Sequence, residues 1–309
     1  MKGSHCPCCD APLLAGWTDW HSRCEDCNYE GASLQPRINE TEPSVSLDEG
    51  LRREALETLR ESNFKELLRV MARHRRPGED TLLDVGAAHG WFVKACLRAQ
   101  PAWTAQGLEP DTAVAAHAQA EGLPVLNGFF PQALKPGTRV HAITFNDVFE
   151  HLPDLPAMLA ACRAHLQPQG LLVLNLPNCR GVFFRVASVL QKLGMSGPLR
   201  RLWQEGMPSP HLHYFAPDNL KRLLQRHGFE VVERTSLVSV RREGLMARLR
   251  YYPQGRWTAT LLGPFLWLAV PLLQRLPADI LVVVARMGES PQSASIRCCG
   301  RNPIKKALP

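Results

Sequence analysis

Four cysteines near the start of the chain have the spacing of a metal site. Cys6 and Cys9 form one CxxC pair, and Cys24 and Cys27 form a second pair about fifteen residues later. Two turns that each present two thiolates can surround a zinc ion tetrahedrally, with Zn–S distances of ~2.3 Å. Four thiolates leave no open coordination position, so we predict a structural rather than a catalytic zinc. Cys8 is a spare thiol that could compete with Cys9.

A second set of residues has the pattern of a nucleotide or cofactor turn. The apolar run that begins at Leu82 leads into Gly86, Ala88 and Gly90, whose small side chains permit close approach of a ligand to the backbone. Glu109 ends the next predicted strand, about twenty residues later, where both carboxylate oxygens could bind a ribose diol. A nucleotide-binding turn of another kind fits the glycine pattern equally well.

The surrounding elements predict an α/β fold. Strands beginning near residues 82, 103, 123, 140 and 171 alternate with helical patterns, which is typical of a doubly wound parallel sheet. We therefore predict a zinc ribbon at 1–35 with a strand over 17–23, a linker and an entry helix (residues 47–75) within 36–80, and a cofactor domain at 81–288. Within that domain, 179–215 is predicted to be an acceptor cap and 244–278 a hydrophobic insertion. Residues 289–309 are polar and are predicted to be a disordered tail.

Several motifs in this order resemble class I S-adenosylmethionine-dependent methyltransferases. The resemblance is closest to the branch that contains ubiquinone-biosynthesis and sugar or glycan methyltransferases. It implies a Rossmann-like sheet of seven strands with an antiparallel last strand. The motifs lie at residues 83–90, 107–110, 147–152, 166–172, 174–178, 213–215 and 220–229, and the match resumes at the strand over 280–286.

The resemblance also assigns cofactor roles. Asp84, Gly86, Ala88 and Gly90 would surround the methionine portion of the cofactor, and Glu109 would bind the ribose. The other three positions are Phe129, which could stack on the adenine, and Asn146 and Asp147, which would close over the methionine end. Ala87 and Ala88 replace the commoner Cys-Gly. Alanine is small enough that we expect binding to survive, although the change also fits a degenerate site.

Methyl transfer to a hydroxyl or an ammonium group requires a proton acceptor, and a histidine titrates in the right range. His151, His211 and His213 are the candidates; Glu150 precedes His151, and the pair could instead cap the following helix. In related ubiquinone-pathway enzymes, acids and a histidine in this segment bind a divalent ion, so Asp147, Glu150 and His151 could hold Mg²⁺. The acceptor implied is a small molecule, a sugar or glycan, or a lipid-linked compound, methylated at oxygen.

The distribution of charged and apolar residues indicates which partners and which location to expect. Residues 180–256 contain 14 Lys and Arg but 5 Asp and Glu, which suits a phosphate-bearing substrate, an anionic membrane or nucleic acid. Residues 257–273 carry no charge, but they are too few to span a bilayer and Pro264 and Pro271 interrupt them. They fit either a buried hairpin or a segment in the membrane interface. Without an apolar leader at its start, the protein is expected in the cytoplasm, with peripheral contact at the inner face of the membrane through 244–278.

Two other functions fit part of the sequence. Some ribosomal RNA methyltransferases join a zinc ribbon to this fold, but the Asn/Asp-Pro-Pro or cysteine motifs of RNA base methylation are missing from the chain, which disfavours a nucleic-acid partner. A binding module without catalysis would use the ribbon to recruit a partner beside a decayed cofactor site. Binding of the cofactor separates that module from both enzymes, and methyl incorporation into RNA separates the two enzymes from each other.

Overall fold

The computed structural model describes residues 5–37, 49–99, 101–250 and 263–288. For residues 49–58, 247, 248 and 250 it describes the backbone alone. The predicted tail (289–309), most of the predicted linker and the centre of the 244–278 insertion lie outside the described residues.

The cysteine-rich segment forms a small antiparallel sheet. Its strands are β1 (Leu14–Ala15), β2 (His21–Arg23) and β3 (Glu30–Ala32), and β2 pairs with both neighbours. The strand predicted over 17–23 is confined to its last three residues. Trp17 and Trp20 instead lie in a turn, where their rings pack edge to face at 5.1 Å. The alternation of apolar residues that predicted a strand over 17–23 therefore reflects a contact between two tryptophan rings, and only the end of this segment is a strand.

The entry helix α1 (Glu49–Ala72) lies against the cofactor domain. Its buried side chains recur at helical spacing at Phe64, Leu67 and Met71. The helix ends three residues before the predicted boundary. Just beyond its end, the guanidinium of Arg75 donates hydrogen bonds to the carbonyl oxygens of Glu79, Pro101 and Ala102.

Seven strands form the central sheet, in the spatial order β10-β11-β8-β7-β4-β5-β6. The strands β4 to β8 are parallel, whereas the last strand, β11, is antiparallel to both β8 and β10. This is the predicted Rossmann-like arrangement, and it is confirmed. The strands are β4 (Thr81–Val85), β5 (Thr104–Glu109), β6 (Val125–Asn127), β7 (Val140–Asn146), β8 (Leu166–Pro177), β10 (Phe229–Leu237) and β11 (Ile280–Met287).

Helices cover both faces of this sheet. They are α2 (Trp91–Arg98), α3 (Thr112–Ala120), a 3₁₀ turn (Phe149–His151), α4 (Leu155–His165) and α7 (Pro217–Arg226). Because both faces are covered, the inner strands are apolar almost throughout: in β11, Leu281 and Val283 join the core on one face, and Val282 and Val284 join the core on the other.

Two insertions interrupt the domain. The first follows β8 and contains α5 (Val182–Lys192), α6 (Gly197–Leu202) and β9 (His213–Tyr214). The second precedes β11 and contains α8 (Leu245–Arg250) and α9 (Gly263–Leu273). Among the described residues, no helix combines the length and apolar character needed to cross a membrane.

Candidate functional site

The two CxxC segments have the same backbone geometry. The carbonyl oxygen of Cys6 accepts the amide of Asp10 at 2.9 Å, and that of Cys24 accepts the amide of Asn28 at 3.0 Å. Asp10 and Asn28 both adopt positive φ, at 71° and 57°, a conformation that these residue types tolerate better than most. The sequence therefore folds each pair into the same tight turn, and the two turns face each other.

The thiols of these turns meet in one cluster. Cys6 Sγ lies 3.5 Å from Cys27 Sγ, and Cys9 Sγ lies 3.4 Å from Cys24 Sγ. One sulfur from each of the four lies within 4.8 Å of the others, a donor set that could hold tetrahedral zinc. Cys8 is fully buried and its thiol also contacts those of Cys6 and Cys27.

The cysteine-rich sheet continues into the first insertion. Strand β3 pairs antiparallel with β9, which makes β9 the fourth strand of the small sheet. Asn219 Nδ2 donates to the carbonyl oxygen of Cys27 at 3.1 Å, and Trp20 Nε1 donates to Glu205 Oε1 at 3.1 Å. The ribbon thus supports the segment that carries His211 and His213, although most of the chain separates them in sequence.

The predicted cofactor residues gather at the carboxyl edge of β4, β5 and β7. Gly86 and Gly90 both have φ of 71°. A methyl group on Gly86 would lie 2.5 Å from a side-chain carbon of Val148, and one on Gly90 would lie 2.8 Å from Leu123. Positive φ and close packing together require glycine at both positions, and they leave the backbone of this turn open to a ligand.

Asp84 is buried at this edge. Its Oδ1 accepts hydrogen bonds from Thr144 Oγ1 at 2.7 Å and from Asn146 Nδ2 at 2.9 Å. Burial raises the pKa of the Asp84 carboxyl to about 7, and the two hydrogen bonds oppose that rise. Thr144 has no role in the sequence prediction, because its register with Asp84 on the neighbouring strand is visible only in the structure.

Glu109 is held rigidly at the end of β5. The amides of Ala88 and Asp111 donate to its two carboxylate oxygens at 2.8 and 2.9 Å. Both hydrogen bonds favour the carboxylate, but burial is the larger influence and raises the pKa of Glu109. Ala88 has φ of 45°, so this alanine occupies a position where glycine would be unstrained. Phe129 follows β6, and its ring is 53% exposed, which leaves it accessible to a stacking partner.

Asn146 ends β7, and Asp147 follows it. Asn175 in β8 supports both, because its Nδ2 donates to Asn146 Oδ1 at 3.3 Å and its carbonyl oxygen accepts the amide of Asp147 at 2.8 Å. Arg60 of α1 forms an ion pair with Asp147 at 3.5 Å. Helix α1 therefore reaches over this edge. Asn175 belongs to a motif that carried the family resemblance, but no sequence pattern points to Arg60.

A carboxyl and two imidazoles meet beside this edge. Glu150 Oε1 lies 3.9 Å from Nε2 of both His151 and His211, and the two imidazole rings meet edge to face with their centroids 4.7 Å apart. Both oxygens of Glu150 are buried without a hydrogen-bond partner in the structure. Burial, and next the charge of Asp147, hold the pKa of Glu150 well above its usual range. Asp147, the third ligand in the sequence prediction, pairs with Arg60, and His211 takes its place in the cluster.

The hydrogen bonds of the two imidazoles fix their protonation. His151 Nδ1 lies 2.8 Å from the carbonyl oxygen of Pro210, so this nitrogen carries the proton. The hydroxyl of Tyr214 donates to Leu202, so it accepts from His211 Nδ1. Both Nε2 atoms are then unprotonated and lie on the side of Glu150, and that of His211 accepts a hydrogen bond from Gln204 Nε2 at 2.9 Å.

His213 has a different environment. Its Nε2 donates to the carbonyl oxygen of Leu152 at 2.8 Å, and its Nδ1 accepts the hydroxyl proton of Tyr29. Burial lowers the pKa of His213 to about 4, which keeps the ring neutral. Both ring nitrogens thus form hydrogen bonds, one with Tyr29 of the ribbon and the other with Leu152 of the cofactor domain.

Comparison with known proteins bears on this arrangement. A family model described as "Methyltransferase domain" matches residues 55–234, which is more than half of the chain. The chain belongs to the S-adenosylmethionine-dependent methyltransferase family. The match begins within α1 and ends within β10, so it includes every residue predicted to bind the cofactor.

Individual relatives of this methyltransferase are more distant. It is 27% identical over 161 residues to a ubiquinone biosynthesis O-methyltransferase of Cereibacter sphaeroides; the match covers 51% of this chain and 63% of that one. The chain thus spans less than two thirds of that relative's length. A solved S-adenosylmethionine-dependent methyltransferase of Archaeoglobus fulgidus matches with a TM-score of 0.51 at 15% sequence identity. The match covers 77% of this chain and 99% of the other. This likeness shows the fold alone.

Proposed function

We propose that this methyltransferase transfers the methyl group of S-adenosylmethionine to a hydroxyl oxygen of a small-molecule, sugar or glycan, or lipid-linked acceptor. The observation that carries the proposal is the fixed tautomer of His151. Its Nδ1 donates a hydrogen bond to the carbonyl oxygen of Pro210, so Nε2 is the nitrogen that can accept a proton near the cofactor edge. The likeness to a ubiquinone biosynthesis O-methyltransferase supports oxygen as the methylated atom.

The cofactor residues fit the three parts of S-adenosylmethionine. Glu109 would bind the ribose hydroxyls, because backbone amides already orient its carboxylate. Asp84, Gly86, Ala88 and Gly90 would hold the methionine portion together with Asn146 and Asp147, and the exposed ring of Phe129 would cover the adenine. A carboxyl with a pKa of about 7 suits the methionine end, because a cationic ligand favours its ionised form.

The reaction needs alignment more than activation, because the sulfonium is already a good leaving group. The acceptor oxygen attacks the methyl carbon, the carbon–sulfur bond breaks, and its electron pair stays on sulfur. The acceptor hydroxyl proton passes to His151 Nε2. Glu150 and His211 would orient that ring and limit the water around it.

A divalent ion such as Mg²⁺ is a second candidate for this position. The buried oxygens of Glu150 and the Nε2 atoms of His151 and His211 lie within 4.8 Å of one another and could hold a divalent ion. The ion would displace Gln204, which donates to His211 Nε2 at 2.9 Å, and the two imidazoles are ligands more typical of a transition metal than of Mg²⁺. When bound, the ion would lower the pKa of the acceptor hydroxyl. His151 cannot both bind it and accept the proton, so the two arrangements are exclusive.

Calorimetry with S-adenosylmethionine tests the cofactor site. We expect micromolar binding by the zinc-loaded chain and its loss in Glu109→Ala. Absence of binding by a well-folded chain would overturn the proposal and favour a binding module. Methyl incorporation into RNA, with none into glycans or lipid-linked sugars, would favour the RNA enzyme.

Substitution of His151 tests the chemistry once an acceptor is found. We expect His151→Gln to lower kcat by about 10²- to 10⁴-fold while leaving the Kd of the cofactor unchanged. His165→Gln is the matched control, because His165 Nδ1 also binds a carbonyl oxygen, that of Thr138, at the opposite edge of the sheet. Inhibition by chelators that leave the cysteine site loaded, reversed by Mg²⁺, would assign His151 to the ion. Full activity of His151→Gln would exclude both roles.

A further inference from the structure

The two insertions expose an unusual amount of apolar surface. Ten of the fourteen large apolar side chains that are exposed in the described part of the chain lie on them. They are Phe183, Val186, Val189, Leu193 and Met195 in and after α5, and Phe265, Trp267, Leu268, Leu272 and Leu276 in and after α9. Clusters of this size on one part of a protein mark an interaction surface.

Helix α5 carries a second apolar stripe besides the one that packs inward. Phe184 and Ala187 pack inward, whereas Phe183, Val186 and Val189 recur at helical spacing on the exposed side. Packing among the residues that the structure describes does not explain this second apolar stripe.

Helix α9 is apolar all round and yet lies on the surface. Residues 263–273 contain no charged side chain. Arg242 anchors the helix, because its Nε donates to the carbonyl oxygen of Trp267 and its guanidinium lies 4.2 Å from that ring. Gln274 donates to the carbonyl oxygen of Val240 at 3.0 Å. The helix is thus held in place while Phe265 and Leu268 remain more than 60% exposed.

The start of α5 contacts the segment that follows α9. The amide of Val182, at the start of α5, donates to the carbonyl oxygen of Pro277 at 3.1 Å. The amide of Phe183 donates to Asp279 Oδ1 at 2.7 Å. The junction lies at the carboxyl edge of β8, because Ile280 pairs with Pro177. The apolar helices therefore emerge at the edge that carries the cofactor residues.

Bases outnumber acids in the sequence of the two insertions. Residues 180–204 contain five Lys and Arg and no Asp or Glu, and residues 244–278 contain four Arg and no acid. Acids do lie beside these ranges: Asp218 pairs with Arg180, Glu205 pairs with Arg200, and Asp279 accepts the amide of Phe183. Apolar side chains flanked by a surplus of bases match the boundary of an anionic bilayer, in which the apolar side chains enter the acyl region and the bases contact phosphates. A second copy of the chain would bring like charges together and is disfavoured.

We infer that the exposed faces of α5 and α9 together form a docking surface for an anionic lipid bilayer. This surface would hold the cofactor edge close to the headgroups, where a lipid-linked acceptor is presented. Docking requires neither cofactor nor acceptor, so it can fail or succeed independently of the proposed methyl transfer.

Sedimentation of the full chain with vesicles tests the inference. We expect co-sedimentation with vesicles of phosphatidylcholine and phosphatidylglycerol, weaker binding to phosphatidylcholine alone, and further weakening by salt. Leu268→Asp and Val189→Asp should each reduce binding at least about tenfold. Arg185→Gln and Lys192→Gln should each reduce it about fivefold. The matched control is Leu97→Asp, which changes an equally apolar exposed residue on α2 and should leave binding unchanged.

Circular dichroism and light scattering complete the test. The variants should keep the wild-type spectrum, and all should be monomeric. Equal loss of binding in Leu97→Asp, or no binding of the folded wild type to either vesicle, would overturn the inference. So would a dimer that Leu268→Asp or Val189→Asp dissociates in the absence of vesicle binding, because the occupant would then be a second copy.

Discussion

The hydroxyl of Tyr29 donates its proton to Nδ1 of His213. Tyr29 follows the second cysteine turn, and His213 begins β9, so this hydrogen bond joins the ribbon to the first insertion across 184 residues of sequence. The β3–β9 pairing joins the same two segments, and Asn219 of α7 donates to the carbonyl oxygen of Cys27. The ribbon is therefore packed against the first insertion and the helix that follows it.

Removal of this hydroxyl should loosen the junction. We expect Tyr29→Phe to lower the free energy of unfolding by about 1–3 kcal/mol, because Nδ1 of a buried, neutral His213 loses its donor. Denaturant unfolding measures the change, and a double-mutant cycle with His213→Phe isolates the pair. A coupling energy near zero would mean that the hydrogen bond does not contribute, whatever the single variants cost.

Zinc content should distinguish the two neighbouring thiols of the first turn. We expect Cys9→Ser to lose the metal, because Cys9 Sγ completes the four-sulfur cluster, and Cys8→Ser to retain one zinc per chain. Elemental analysis of the purified variants gives the ratio. The reverse result would assign Cys8, the more deeply buried thiol, as the ligand.

Local chemistry was more predictable from sequence than long-range pairing. The spacing of Cys6, Cys9, Cys24 and Cys27 predicts their cluster, since each turn is built from adjacent residues. The apolar runs likewise predict the parallel strands. In contrast, the β3–β9 pairing depends on packing between segments far apart in the chain, which periodicity does not encode. Arg60 and Thr144 were missed for the same reason: each is recognisable only beside its partner, Asp147 or Asp84.

The pKa of Asp84 predicts a pH dependence of cofactor binding. If the carboxylate contacts the cationic methionine end, affinity should rise by up to about tenfold per pH unit below 7 and level off above it. Calorimetry across this range should show the slope in wild type and a flat profile, at lower affinity, in Asp84→Asn. An unchanged slope in that variant would place the titrating group elsewhere.

In the absence of cofactor, the raised pKa of Asp84 makes the stability of the folded chain fall as the pH rises. The folded-state pKa of about 7 lies above the usual value of 3.8, so the folded chain holds this proton more tightly than the unfolded chain. The contribution of Asp84 to stability is therefore complete below pH 3.8 and is lost as the pH rises toward and through 7. In Asp84→Asn this loss should disappear, which unfolding curves measured at pH 6 and 8 can check.

Ala88 stores strain at the turn that orients Glu109. Its φ of 45° places a Cβ in the left-handed region, which costs about 1–2 kcal/mol relative to glycine. We expect Ala88→Gly to raise the free energy of unfolding by up to about 1 kcal/mol, since part of this gain is offset by the greater backbone freedom of the unfolded glycine chain. Denaturant unfolding measures the gain.

Ala87→Gly is the matched control for this prediction. Ala87 is buried, and it packs in the core near the position where Gly107 leaves room for its methyl group. Glycine at 87 therefore removes a core contact without relieving strain, so it should destabilise the chain. Opposite signs for the two neighbouring substitutions would attribute the gain to φ at residue 88, whereas destabilisation by both would show that the Ala88 methyl group contributes packing that outweighs its strain.

Cofactor binding should be nearly unaffected by Ala88→Gly, because the amide of residue 88 binds Glu109 in either case. We expect the Kd for S-adenosylmethionine to stay within about threefold of wild type. A larger loss of affinity would mean that alanine fixes the turn in the conformation that the cofactor requires.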